Sequence, residues 1–333
     1  MAGVLLIGMG QTALSALDSL SEQFNMLGIV RAANSHDNGV DPVIHRAQQL
    51  RIPVFSDASP DAIKTLLSTL NPDCVVVSSY KRLLPSALIS KYPFINVHYS
   101  PLPRYRGQSQ VNWAVINDEP CAAITIHRIV DEMDAGNILF QHSVPIGDKD
   151  TVTDILEQLN ALQRRHLGDT IERFLNGYPG VPQDPENATY GCCRIPADGE
   201  IDWTSSTRDI SCLVRGLTPP YPGAYTYFQG RRLIVWRAEP ADNPPNYVGR
   251  IPGRIIAVSP TTGHVDVLTG DGVLRVFEVQ IEGDQRTVAA AVIKSIRATL
   301  GLRTGELLER IQALERRLDI LLEAQFPTSH RNK

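Results

Sequence analysis

The sequence predicts an α/β architecture: a parallel sheet flanked by helices, then a smaller all-β domain, then an amphipathic helix. Three observations carry that expectation. Over residues 1–150, short apolar runs alternate with segments whose apolar residues recur at helical spacing. From Tyr178 to Asp202 the chain turns rich in Pro, Gly and Asp, the composition of a linker. Beyond it, short β-branched runs separated by turn signals recur as far as Val279.

Taken in order, Gly3 to Met9 is a strand of the buried type, and Gln11 to Phe24 carries Leu14, Leu17 and Leu20 near helical spacing. Met26 to Ala32 is apolar again, Pro42 to Leu50 reads as a helix, and Ile52 to Phe55 as a third strand. Ser59-Pro60 is a start signal for a helix over Asp61 to Leu70. Cys74 to Ser79 is the strongest β-branched run, and Phe94 to Ser100 follows after another short helix. Such alternation implies a parallel sheet covered on both faces, with ligands collecting at the carboxyl ends of its strands. Ala123 to Val130 and Ile138 to Val144 are two further strands. After the linker, a short helix near Asp209 to Leu217 precedes strands at Ala224 to Phe228, Leu233 to Arg237, Arg254 to Val258, Val265 to Leu268 and Val273 to Val279. That is the pattern of a small barrel or sandwich. The expected divisions are 1–180, a linker over 181–204, the all-β domain over 205–298 and a helical tail over 299–333.

A chain of 333 residues suits two domains, and 43% hydrophobic with 20% charged residues excludes a disordered chain. No apolar run approaches the ~18 residues of a membrane span. The opening MAGVLLIGMG has no basic segment and enters a strand directly, unlike a signal peptide. Thirty-two Lys and Arg against 36 Asp and Glu leave a net charge of −4, which does not favour a broad nucleic-acid surface. The five cysteines lack metal-ligand spacing, Cys192 and Cys193 being adjacent, so reduced thiols in a cytoplasm are the expectation.

Gly8-Met9-Gly10-Gln11-Thr12-Ala13 after the first strand satisfies the loose dinucleotide pattern. The acidic residue that would hold a ribose is missing, since the second strand ends Val30-Arg31-Ala32; Arg31 instead suits a 2′-phosphate, so an NADP-binding oxidoreductase stays open as a reading from a different class. A second signal is Phe94-Ile95-Asn96-Val97-His98-Tyr99-Ser100, where strand period places Asn96, His98 and Ser100 on one face. Polar groups there are costly unless hydrogen-bonded, so a site and a satisfied core histidine both fit. Pro101-Leu102-Pro103-Arg104-Tyr105-Arg106-Gly107 follows as a rigid turn, and Asp131-Glu132-Met133-Asp134-Ala135-Gly136 forms an acidic loop that can approach His98.

Together INVHYSPLPRYRG and MDAGNIL resemble the folate-dependent formyltransferases, whose signature is Asn-x-His-x-Ser-Leu-Leu-Pro with a later Asp-x-Gly. The strand-end run Ser79-Tyr80-Lys81-Arg82-Leu83-Leu84-Pro85 looks like the family's, and Ile201-Asp202-Trp203, Pro220 to Ala224 and Val235-Trp236 look like its second, OB-like domain. The resemblance implies a Rossmann-like first domain, and Asn96, His98 and Asp134 as the catalytic residues. Asn96 and His98 would donate to the oxyanion formed when an amine attacks the formyl carbon of 10-formyltetrahydrofolate. Asp134 would orient His98 and relay the amine's proton. Neither a nucleophilic side chain nor a metal is needed. The folate would lie against Tyr80, Lys81, Arg82, Leu83, Leu84, Val130, Asp131 and Met133. The acceptor would meet Gly8, Met9, Gly10, Tyr99, Ser100, Pro101, Arg106 and Gly107.

Tyr99 and Pro101 replace the family's commoner Gly and Leu and so reshape the acceptor side. Ala32 to Val40 has no Lys or Arg where tRNA-acting members carry a basic insertion, which argues against RNA. The short loop resembles that of the formyltransferase domain acting on UDP-4-amino-4-deoxyarabinose, so a nucleotide-linked amino sugar is the expected acceptor. Methionyl-tRNA, or a hydroxyornithine or aminoacyl amine, remain the alternatives. Gly305 to Glu323 carries Leu307, Ile311, Leu314, Leu318 and Leu321 at spacings of 4, 3, 4 and 3, a coiled-coil seam from which a homodimer is expected.

Overall fold

The computed structural model describes residues 1–31, 41–80, 82–302 and 304–325. The chain divides into two units: Met1–Pro196 with Arg215–Pro220, and Ala197–Val214 with Tyr221–Lys333. Residues 181–196 of the expected linker therefore belong with the first unit.

That unit opens β1 (Gly3–Gly8), α1 (Gly10–Ser21), β2 (Asn25–Val30), α2 (Pro42–Gln49), β3 (Val54–Phe55) and α3 (Pro60–Leu70). It continues β4 (Cys74–Ser78), α4 (Ser86–Ile89), β5 (Phe94–His98), β6 (Arg106–Gly107), α5 (Gln110–Ile116), β7 (Cys121–Arg128), β8 (Ile138–Pro145), α6 (Val152–Leu175) and β9 (Tyr190–Gly191). The main sheet runs β3-β2-β1-β4-β5-β7-β8. It is parallel from β3 to β5, and β7 and β8 then join antiparallel. The parallel sheet expected from the sequence is thus a mixed one. β7 reverses because it follows β5 through a turn and the short α5 rather than through a full crossover.

Local chemistry explains the edges of these elements. β1 and β4 are buried on both faces, so they read as unbroken apolar runs rather than alternating ones. Ser59 caps α3 by accepting from the Ala62 amide, with Pro60 at the first position, as the start signal implies. Asn71 ends that helix in the left-handed conformation. Thr151 and Asp154 form a capping box that starts α6. A core of Leu5, Ile7, Val30, Ile63, Leu67 and Val75 packs β1, β2 and β4 against α3.

The second unit begins at Ala197, takes in α7 (Thr207–Gly216) as far as Val214 and continues β10 (Ala224–Phe228), β11 (Arg231–Pro240), β12 (Ile255–Val258), β13 (Val265–Leu268), β14 (Val273–Ile281) and β15 (Thr287–Val288). Its sheet is antiparallel in the order β10-β11-β14-β13-β12, with β15 added to β14. Alternating inward residues such as Val265, Val267, Leu274 and Val276 make its core. The short α8 (Ala289–Val292) and the long α9 (Thr304–Gln325) follow. No described helix is long and apolar enough to cross a membrane.

Candidate active site

Antiparallel pairing of β5 with β7 sets Asn96 directly opposite His127. Cross-strand neighbours share a face, and these two meet: Asn96 Nδ2 lies 3.2 Å from His127 Nε2. The other ring nitrogen, Nδ1, is 2.8 Å from the carbonyl oxygen of Arg128. A carbonyl only accepts, so Nδ1 carries the proton and Nε2 presents its lone pair to the Asn96 amide. That contact assigns the Asn96 side chain with its nitrogen toward β7. His127 is 1% exposed, and burial pushes its pKa down to about 4, so it is a neutral acceptor at neutral pH.

His98, two residues along β5 and 5% exposed, donates from Nε2 to the carbonyl of Tyr105 at 2.9 Å. Its Nδ1 faces Asp134 Oδ2 at 3.6 Å and the Gln110 amide nitrogen at 3.4 Å. The His98 and His127 rings stand edge to face at 6.0 Å. Asp134 completes the cluster: Oδ1 is 3.4 Å from Asn96 Nδ2, and Oδ2 accepts from the Gly107 amide at 2.9 Å.

The loop that brings Asp134 there is held in three ways. Asp134 itself adopts φ +50°, which a short polar side chain tolerates. Gly136 lies so close to β7 that a Cβ would sit 1.9 Å from the Arg128 carbonyl oxygen, so no other residue fits without displacing the loop. Gln183 donates from Nε2 to the carbonyls of Asp134 and Gly136 at 2.6 and 2.8 Å.

The structure thus brings Asn96, His98 and Asp134 together and adds His127, Gln110 and Gln183, which the sequence reading missed. Several residues expected on the acceptor side are engaged elsewhere. Tyr99 is buried, its hydroxyl 2.7 Å from Asn160 Oδ1 and 2.5 Å from Gln163 Oε1 of α6, because β5's alternation turns it to the opposite face from His98. Burial also raises its pKa. Ser100 donates to the Arg104 carbonyl inside a turn, and Pro101 closes that turn by accepting from the Arg104 amide. Arg106 is 2% exposed; its guanidinium pairs with Glu132 at 2.7 Å and donates to Gln183 and Tyr190. Gly107 serves Asp134. Ser100, Pro101, Arg106 and Gly107 thus brace the turn and the acidic loop.

Gly8 packs against β4, where a Cβ would meet the Ser78 carbonyl oxygen at 1.9 Å. Met9 precedes α1 as its N-cap residue, and the Gly10 amide donates to the Asp41 carboxylate at 3.1 Å. Asp41 also holds Arg31 at 2.8 Å. A protein carboxylate therefore sits where a dinucleotide's phosphates would go, and the arginine meant for a 2′-phosphate is already paired.

Among the residues expected against the folate, Tyr80 donates to the Ala58 carbonyl, and Tyr80 and Leu84 pack with Ile129 against one core cluster. Tyr80, Leu84 and Ile129 therefore border the same part of the sheet. Leu83, Val130 and Met133 are exposed apolar side chains, Arg82 and Asp131 are exposed charges, and Lys81 lies outside the described residues.

Tyr99→Phe leaves two buried amide oxygens without their shared donor. The expected cost is about 1–2 kcal/mol of stability, read as a lower midpoint in urea at unchanged slope.

As ligands, one atom each from His98, His127 and Asp134 lies within 4.8 Å of the others, close enough to suggest a cation. Each of those groups already has a protein partner: His127 Nε2 accepts from Asn96, and Asp134 accepts from Gly107.

Comparison with known structures agrees on the architecture. HypX from Aquifex aeolicus in complex with tetrahydrofolic acid superposes with a TM-score of 0.64 at 17% identity, over 88% of this chain and 47% of that one. This chain thus spans about half of HypX. A sugar N-formyltransferase from Shewanella matches with a TM-score of 0.56 at 21% identity, over 70% of this chain and 95% of that one. Methionyl-tRNA formyltransferase from Clostridium thermocellum gives 0.55 at 16%, over 73% and 96%. These likenesses share a fold and leave the acceptor open. The family models are more specific: residues 27–171 match the formyl transferase model and residues 195–297 match its C-terminal domain, so the chain belongs to the formyl transferase family.

Proposed function

We propose that this enzyme moves the formyl group of 10-formyltetrahydrofolate to the primary amine of a small molecule, most simply a nucleotide-linked amino sugar. The observation that carries the transfer is the Asn96–His98–Asp134 cluster, braced by His127, on one face of β5. The amine nitrogen attacks the formyl carbon, a tetrahedral oxyanion forms, and the bond to folate nitrogen N10 breaks as that nitrogen takes a proton. One Asn96 N–H is tied to His127; the other, loosely held by Asp134 at 3.4 Å, is the one that turns to the oxyanion. Asp134, 3.6 Å from His98 Nδ1, takes the proton the amine sheds and passes it on through His98 or water. The exposed apolar side chains of Leu83, Val130 and Met133 suit the faces of a flat bicyclic ring.

The amino-sugar acceptor rests on the absence of Lys and Arg from residues 32–40, which gives an RNA backbone no partner there. A panel of amines, with nucleotide-linked amino sugars, methionyl-tRNA and hydroxyornithine among them, tests it. Each is mixed with 10-formyltetrahydrofolate and scored for the mass of one added formyl group. A formylated tRNA and no formylated sugar overturns the acceptor; no formylated product from any amine overturns the transfer.

Binding is tested separately. A 10-formyl folate at roughly 100 times its Kd stabilises the native state by about 2.7 kcal/mol and raises Tm. NADP leaves Tm unchanged, because Asp41 occupies the helix terminus it would need. Divalent cations leave it unchanged too, because the cluster's donor atoms are engaged. A shift with NADP and none with a folate reverses the reading.

A further inference from the structure

We infer that α9 is a self-association element, pairing in parallel and in register with α9 of a second copy of this chain. On α9, Leu307, Ile311, Leu314, Leu318 and Leu321 remain between 40% and 59% exposed, so the helix's own unit leaves the seam uncovered. The spacing puts Leu307, Leu314 and Leu321 at the d positions of a heptad and Ile311 and Leu318 at a. Of the two a positions Ile311 is β-branched, and a β-branched residue at a with leucine at d favours two strands. Leu308 and Leu322, at e, are also exposed and widen the buried stripe.

Charge selects both the partner and the direction. In a parallel pair each g residue faces the e residue five positions on in the other helix. Arg310 is at g and Glu315 at e, so the pair forms twice, once on each side of the seam. Antiparallel pairing sets g against g, where Arg310 and Arg317 stand, and e against e, where Glu315 is the charged residue. No attractive pair results. Arg310 lies beside Gly230 at the β10–β11 turn, and neither it nor Glu315 has an ion-pair partner among the described residues. A helix this short is marginal alone, which is why an apolar stripe and complementary flanks on one element point to a second copy rather than to an isolated helix.

The test uses the full chain and sedimentation equilibrium across micromolar concentrations. The wild type is a dimer, and Leu314→Glu, which sets a charge against its own copy in the seam, raises the dissociation constant by roughly 100-fold or more. Arg310→Glu and Glu315→Arg each raise it by roughly threefold to tenfold, and the double variant returns it to near the wild-type value. Because α9 is exposed, the variants keep wild-type near-ultraviolet circular dichroism. A wild type that is monomeric throughout, or a Leu314→Glu chain as dimeric as the wild type, overturns the pairing. Charge reversals whose effects add in the double variant overturn the parallel register.

Discussion

His98→Ala is expected to fold normally, to bind folate with unchanged affinity and to lose roughly 10²- to 10⁴-fold in kcat. The reasoning starts from burial. His98 is anchored by the Tyr105 carbonyl, so its ring is held by backbone, and removing it leaves the neighbouring turn to its own hydrogen bonds, from Ser100 to Arg104 and from Thr125 to Ser100. The lost group is chemical rather than architectural. Asn96→Ala and Asp134→Ala are expected to cost similar factors, and double variants to cost little more than the worse single one, because the three act on one oxyanion and one proton. Steady-state formyl transfer, paired with folate titration, reads both halves of this. Wild-type turnover in a His98→Ala protein that binds folate would falsify the assignment.

His127→Leu is expected to lower kcat by roughly 10- to 100-fold without a change in KM for folate, although His127 donates nothing to the reaction. Leucine gives the Asn96 amide no acceptor, so the amide is free to turn its oxygen inward and present no donor to the oxyanion. His127→Gln, which can offer an amide oxygen at that place, is expected to recover most of the rate. The same residue writes a signature on stability. Its pKa is about 6.5 unfolded and about 4 when buried. Between those values the unfolded chain binds the extra proton, so stability rises with pH, and it is lost as pH falls from about 6.5 toward 4. In His127→Gln that portion of the acid destabilisation disappears while activity stays. Parallel urea unfolding curves at several pH values, wild type against variant, measure the difference. Identical pH profiles would show that the ring is charged or solvated in the folded state.

Much of the site was legible because it breaks local rules. Asn96 and His98 stand out as polar residues at alternate positions of an apolar strand, and Asp134 through its place before Gly136. By the same logic His127 stood in view, a polar residue directly after the run Ala122 to Ile126, but its meaning depends on standing opposite Asn96. Register between two strands is a property of the sheet and cannot be read along either strand. Tyr99 and Arg106 show the same dependence on contacts distant in sequence. Their positions beside the signature suggested the acceptor, whereas their partners Asn160, Gln163 and Gln183 lie some 60 to 80 residues further along the chain. The helix that supplies Asn160 and Gln163 was not among the expected elements, so nothing announced a buried acceptor for the tyrosine. The mixed sheet was hidden similarly, since strand direction after β5 follows from connection length rather than composition. The element pattern itself, from the Ser59-Pro60 start to the antiparallel domain, followed from spacing and turn chemistry alone.

The way Asn96 faces His127 across two hydrogen-bonded strands gives the site two halves of unequal durability. Parting Asn96 from His127 means parting β5 from β7 in the interior of the sheet, which is the global transition. Withdrawing Asp134 breaks the bonds from Gly107 and Gln183, its contacts to Asn96, His98 and His127, and the Arg106–Glu132 pair, none of which is a strand ladder. Partial openings therefore strip the proton acceptor while the Asn96 amide and the His127 imidazole that orients it keep their spacing. Such an excursion heals on the timescale of a loop rather than of refolding, and the pair it returns to has never moved.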